Sequence, residues 1–411
     1  MTSSDVPAAG RPADRIAIRP LAVRLHVRRH PTASLGRWPA TRRLVAVIVV
    51  AVLVGAAAGG LRVASAVSAA AGYARTTQLA VLGQQVTVLA FALENERDAT
   101  AAFVAASGYD SQLSAGGITS RIVAAPVLLA YQAQMKHAEA ATDAAASRAA
   151  GLAARIGGAF PAGPQSKAAQ VVADIRDIPG LRSGSVTGTS LSAVQNYSAV
   201  IADVFALDDQ ISAGSGDSAL GADVSTLGAL SRAQDQASQQ RAILTAALLS
   251  RQFAPGAQQA LATAQALESA DLLTFQESAT TAQENAFVNV VNGSQAAASG
   301  LMTGFVAGLD GPASSRGALL SRATPVQMNP ASTPNTWYTA MSSTLDRMQG
   351  VGLRVAAAAV ARGEALHAGA LRSAELSAAV TVGAAIVVLL LTLFAARSAS
   401  GDEASRGRAG A

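Results

Sequence analysis

Two arginines sit where an apolar residue is due. Along residues 79–104 an apolar seam runs Leu79, Leu82, Val86, Leu89, Leu93, then Arg97, Thr100 and Val104. Along 224–248 a second seam runs Val224, Leu227, Leu230, Gln234, Ala237, Arg241, Leu244 and Leu248. Steps of three and four keep side chains on one helix face, so both guanidinium groups are directed at a core. A guanidinium does not lose its proton inside a protein, and burying it without a counter-charge is costly. Each arginine therefore calls for an anion. An internal ion pair is the plain reading: Glu94 lies three residues before Arg97, and Asp235 six before Arg241. A long stem can also carry its head group to the surface. The chemical reading is that two arginines from separate helices face one pocket and hold a small oxyanion, which suits their planar fork of donors.

Other reactive constellations are missing. His26, His30, His137 and His367 are scattered, with no second ligand at the spacing of a zinc site. No Gly-x-Ser-x-Gly elbow and no phosphate-binding loop occurs. Asp208 and Asp209 read as a solvated helix face, and Arg182, in the glycine-bounded stretch 180–188, as a loop arginine in solvent. Cysteine is absent, which removes thiol chemistry, disulfides and cysteine metal sites. Neither catalysis nor a cofactor is expected.

The elements that must position the arginines read as helices. Alternating strand patterns are nearly absent, and long alanine- and glutamine-rich segments carry apolar residues three and four apart. Breakers cluster at Gly108 to Gly117, Gly157 to Pro164, Pro179 to Gly188, Gly214 to Gly216, Pro255-Gly256, Gly308 to Pro312 and Pro325 to Pro334. The clearest stripe is Trp337, Met341, Leu345, Met348, Val351 and Val355, in a helix with no proline from Thr336 onward. The fold class is all-α: antiparallel helices packed as two four-helix-like bundles.

Two apolar stretches bracket these helices, Leu44–Leu61 and Leu376–Ala396, both without a charge. Each is about the length a helix needs to cross the hydrocarbon core of a membrane. Nine arginines against Asp5 and Asp14 precede the first stretch. Three more, against Asp402 and Glu403, follow the second. The middle holds 19 basic and 22 acidic residues. Positive flanks stay in the cytoplasm, which places both termini inside and the middle outside. A basic tail beside a bilayer is a topology signal rather than a nucleic-acid arm. The organisation expected is a disordered basic tail over 1–43, membrane helices over 44–61 and 376–396, an extracytoplasmic domain over 62–375, and a short inner tail over 397–411. A cleaved signal peptide ending near Ala64-Ser65-Ala66 is the competing reading of the first stretch, but its prefix and apolar run are both too long. Gly55, Gly59 and Gly60 allow either a bend or a close helix contact there.

The stretch Leu93-Glu94-Asn95-Glu96-Arg97-Asp98-Ala99-Thr100, followed by Phe103, resembles the first helix motif of the nitrate- and nitrite-sensing (NIT) domain. Ser238-Gln239-Gln240-Arg241-Ala242-Ile243-Leu244 resembles its second arginine motif, and Asn196-Tyr197, Phe275 and Trp337-Tyr338 fall at similar places. The resemblance spans residues 73–370 and is to the extracytoplasmic region of actinobacterial sensor histidine kinases. It implies that Arg97 and Arg241 bind nitrate or nitrite between two helical bundles of a membrane receptor, with homodimerisation expected. Unlike those kinases, the chain has only Arg397–Ala411 after the second stretch, without a histidine box or ATP site. Either a separate cytoplasmic partner takes the signal or the output part is missing. The reading from another class is a non-catalytic, membrane-anchored helical scaffold that binds another envelope protein.

Overall fold

The computed structural model describes residues 40–114, 118–213, 217–310 and 332–408. Among them are eight helices and no strand: α1 (Ala40–Ser114), α2 (Ile118–Ala153), α3 (Ala162–Val186), α4 (Ser190–Ala213), α5 (Ser218–Ser250), α6 (Ala257–Ser278), α7 (Thr281–Asp310) and α8 (Ser332–Arg408). The all-α expectation holds. The tail over 1–39, with His26 and His30, and the breakers Gly214 to Gly216 lie outside the described residues.

The chain divides into two compact units, Met1–Ala57 with Val382–Ala411, and Ala58–Thr381. In the first unit Val47, Val50, Leu53 and Val54 of α1 are exposed, as are Val382, Leu389, Leu390 and Phe394 of α8. Apolar surface of this extent needs a non-aqueous neighbour. Both helices are long and apolar enough to cross a membrane.

The second unit is built around α5. Of its 33 residues, 24 are buried, on nearly every face rather than on the single seam the sequence suggests. Asp217 caps its start by accepting a 2.9 Å hydrogen bond from the Leu220 amide. One core draws mainly on α1 to α4: Leu82, Leu89 and Leu93, Ala149, Val171, and Tyr197, Ile201 and Leu207. The next draws mainly on α5 to α8, where Leu244 and Leu248 meet Leu261, Met302, Trp337 and Leu345. A smaller one joins Leu230, Phe275, Phe287 and Met348, with the two phenyl rings 5.2 Å apart. All six residues of the Trp337–Val355 stripe are buried.

Helices α1 and α8 approach closely in this unit. A Cβ at Gly59 would collide with the Thr381 side chain, and one at Gly363 would lie 2.8 Å from Thr77 Oγ1. Gly55 and Gly60 have no such neighbour, and α1 runs unbroken through all three glycines. His367, expected as an isolated surface residue, is part-buried, with its Nδ1 donating to Ala70 O at 2.9 Å.

Two expected breaks did not occur where the sequence placed them. Helix α1 continues through Gly108 to Ser114, and α3 continues through Pro179 and Gly180 to Val186. A proline removes one backbone donor and a glycine weakens a helix by roughly 1 kcal/mol, losses that packing on neighbours can outweigh.

Candidate functional site

Arg97 of α1 and Arg241 of α5 meet across the junction of the two helix groups. They are among the largest fully buried side chains. Asp98 binds both: its Oδ1 accepts from Arg97 Nε at 3.1 Å, and its Oδ2 accepts from Arg241 Nε at 2.7 Å. Ser238 donates to the same Oδ2 at 2.9 Å. One carboxylate thus lies between two cations, which is the charge arrangement an oxyanion between two arginines would have.

The remaining donors of the two guanidinium groups are used differently. Arg97 Nη1 reaches Asp235 Oδ1 at 2.6 Å and Ser198 Oγ of α4 at 3.0 Å, while its Nη2 donates to the Asp235 carbonyl at 3.3 Å. Arg241 Nη1 donates to Ser342 Oγ of α8 at 2.8 Å, and its Nη2 to Asn95 Oδ1 of α1 at 2.7 Å. The Tyr338 ring covers this head group, with Arg241 Cζ 4.8 Å from the ring centroid. Next to Tyr338, Trp337 is fully buried, and its Nε1 donates to the Arg241 carbonyl at 3.1 Å. Asn95, Ser198, Tyr338 and Ser342 are half-buried, so the rim of the site is polar and reaches toward solvent.

Glu94 completes the cluster. It is buried and its Oε2 accepts from Gln234 Nε2 at 3.0 Å. Burial, then the Asp235 charge, push its pKa up to about 8 against the pull of Arg97, so at neutral pH it is held protonated. Burial alone would lower the Arg97 pKa, but Asp235, Asp98 and Glu94 carry it above the usual arginine range. With Glu94 neutral, two cations face Asp98 and Asp235, and the cluster balances its own charge.

The sequence put both arginines in the core correctly, but not their partners. Asp235, expected beside Arg241, pairs with Arg97, and Glu94 makes no hydrogen bond to Arg97 among the contacts described. Asp98 was missed because it follows Arg97 directly and lies off the seam. The signal was the run Glu94, Asn95, Glu96, Arg97, Asp98, whose polar density is unusual between Leu93 and a buried alanine stretch.

A second ion pair, between the half-buried Arg182 and the buried Glu96, adjoins the first. Arg182 is in helix α3, not a solvated loop, and grips Glu96 through Nε–Oε1 at 2.6 Å and Nη2–Oε2 at 3.1 Å. It also reaches Asp143 at 2.8 Å and the Glu139 carbonyl at 3.0 Å. Tyr197 donates to Glu96 Oε1 at 2.8 Å, and burial followed by the Glu96 charge raises its pKa. The expected solvated face at Asp208-Asp209 is half right. Asp209 is exposed and pairs with Arg232, whereas Asp208 is buried, with its Oδ2 lacking a hydrogen-bond partner. Burial, then Asp209, push the Asp208 pKa up to about 8. No group of three or more histidine, aspartate or glutamate side chains is placed to hold a metal among the described residues.

The sequence model of the family described as nitrate and nitrite sensing matches residues 89–360, about two-thirds of the chain. The chain belongs to the NIT family. The matched region begins at Leu89, eight residues before Arg97, and ends in α8 beyond the Trp337–Val355 stripe. Helices α1 and α8 carry the two candidate membrane spans that flank this NIT sensor domain. Among solved structures the chain is similar to that of the NasR transcription antiterminator, with 17% identity and a TM-score of 0.51, over 79% of this chain and 80% of that chain. At that identity the likeness bears on the fold alone. No curated protein matches the chain in a sequence comparison.

Proposed function

We propose that this NIT protein is a two-pass membrane receptor whose extracytoplasmic domain binds nitrate or nitrite at Arg97 and Arg241. Both termini lie in the cytoplasm, and the chain works as a homodimer that hands its signal to a separate cytoplasmic partner. It is a receptor without catalysis. One observation carries the reading: two buried guanidinium groups from different helices converge on a single carboxylate, in a chain whose family senses nitrate and nitrite.

In the conformation described, the carboxylates of Asp98 and Asp235 balance the two arginines. An anion gains entry only by taking donors that side chains of the protein now use, so it favours a packing in which those side chains are displaced. A ligand shifts such an equilibrium only by its difference in affinity for the two packings. Because Asp98 and Asn95 are on α1 and Ser342 is on α8, the helices that feel the exchange are the two with apolar stretches.

The test is isothermal titration of the full chain in detergent with nitrate, nitrite and chloride. Saturable heat with nitrate or nitrite, lost in Arg241→Ala, is the expected result. No heat for the wild type favours the non-catalytic scaffold reading instead.

A further inference from the structure

The two arginines are not equally available to a ligand. Arg97 is committed to carboxylates on two sides, Asp98 at Nε and Asp235 at Nη1, and its Nη2 holds the Asp235 carbonyl. Arg241 has one charged partner, Asp98 at Nε. Its outer end, Nη1 and Nη2 together, is capped by two neutral groups, Ser342 Oγ and Asn95 Oδ1. Both caps are half-buried, and the half-buried Tyr338 ring lies over the same head group.

Exchange energetics differ between these edges. At Arg97 an incoming monoanion would replace a carboxylate, gaining no charge and leaving a tethered aspartate without its cation in a buried space. At the outer end of Arg241 it would replace a neutral hydroxyl and a neutral amide. Charge-assisted hydrogen bonds are roughly twice as strong as neutral ones, and the paired Nη donors fit two oxygens of a planar anion side by side.

We infer that the anion docks on the Nη1–Nη2 edge of Arg241 beneath Tyr338, displacing Ser342 and Asn95, while Arg97 contributes to the same site by holding Asp98 in place. The inference rests on the receptor reading above and goes further in naming the edge and the caps. It also makes the Ser342–Arg241 bond a latch. Ser342 is on α8 and Asn95 on α1, so docking releases both helices from α5 at one point.

Three variants of the full chain in detergent test this by nitrate titration. Asn95→Asp places a tethered carboxylate on the Nη2 edge and should weaken nitrate binding by about tenfold or more, because hydrogen bonds to charged groups are the stronger ones. Ser342→Ala removes a competing acceptor and should tighten nitrate binding several-fold. Tyr338→Ala removes the covering ring and should weaken it. Trp337, fully buried against the Arg241 carbonyl, gives a local fluorescence readout once the other tryptophan is removed by Trp38→Phe. If Asn95→Asp and Ser342→Ala bind nitrate as the wild type does, the edge assignment is overturned while the receptor reading stands. If the wild type takes up neither nitrate nor nitrite, both are overturned. Should Asn95→Asp fail to fold, unchanged affinity in Ser342→Ala is enough to reject the assignment.

Discussion

Glu94 and Asp208 are acids kept neutral by the protein, and that leaves a signature in stability. Each has its pKa raised to about 8 by burial, reinforced by Asp235 for Glu94 and by Asp209 for Asp208. In the unfolded chain both return to the ordinary carboxyl range, so the native state holds more protons between the two values. Stability is therefore fully present below the unfolded-state pKa and is lost as pH rises through about 8. Each group contributes a slope of up to ~1.4 kcal/mol per pH unit across that window. Thermal unfolding of the full chain in detergent, followed from pH 5 to pH 8, should show a melting temperature that falls with pH. Glu94→Gln, which keeps an acceptor for Gln234, should flatten the curve, and adding Asp208→Asn should flatten it further. A wild-type curve that rises over this range would show that both groups ionise in the native state. Neither behaviour was legible in the sequence. Glu94 reads there as a counter-ion for Arg97, and Asp208 as one of a solvated pair, because ionisation depends on which helices pack over a residue.

At the scale of elements, α3 is fixed to α1 by the Arg182–Glu96 fork, with α4 joined through Tyr197 and α2 through Asp143 and the Glu139 carbonyl. Glu96 has no exposure, so removing its cation strands a buried charge. Arg182→Ala should cost ~2–3 kcal/mol, less than the ~3–5 kcal/mol of a fully buried pair because Arg182 is only half-buried. Tyr197→Phe removes one hydrogen bond to the same carboxylate and should cost ~1–3 kcal/mol. Denaturant unfolding of the two variants checks the order; equal small losses would mean that Glu96 is reached by water. The sequence showed the seams of α1, α5 and α8 because apolar spacing of three and four is a local property that survives in one dimension. It did not show that Arg182 belongs to a helix, since Pro179 and Gly180 carry local signals for a break that tertiary packing overrode. Nor did it show that Asp98 bridges both arginines, because pairing across helices depends on their axial register.

At the scale of the whole molecule, the sensor domain is flanked by helices suited to a bilayer, and charge sets the proposed orientation. The argument is asymmetric: arginines crowd the first tail, while the middle is slightly acidic. Two crossings then place both tails on one side and the site at Arg241 on the other. The absence of cysteine makes this testable without first removing native thiols, since any introduced cysteine is unique. Ala262→Cys, at an exposed position of α6, should react with a membrane-impermeant maleimide in intact cells. Ser3→Cys should react only after the membrane is permeabilised. Labelling at both positions in intact cells would contradict cytoplasmic termini. Protection at both would put the sensor domain inside, where Arg97 and Arg241 would meet only internal anions. The Ser3 position also separates a retained first helix from a cleaved leader: a mature chain still carrying that label keeps α1 whole, and with it the continuous helix that holds Asn95 and Asp98 against Arg241.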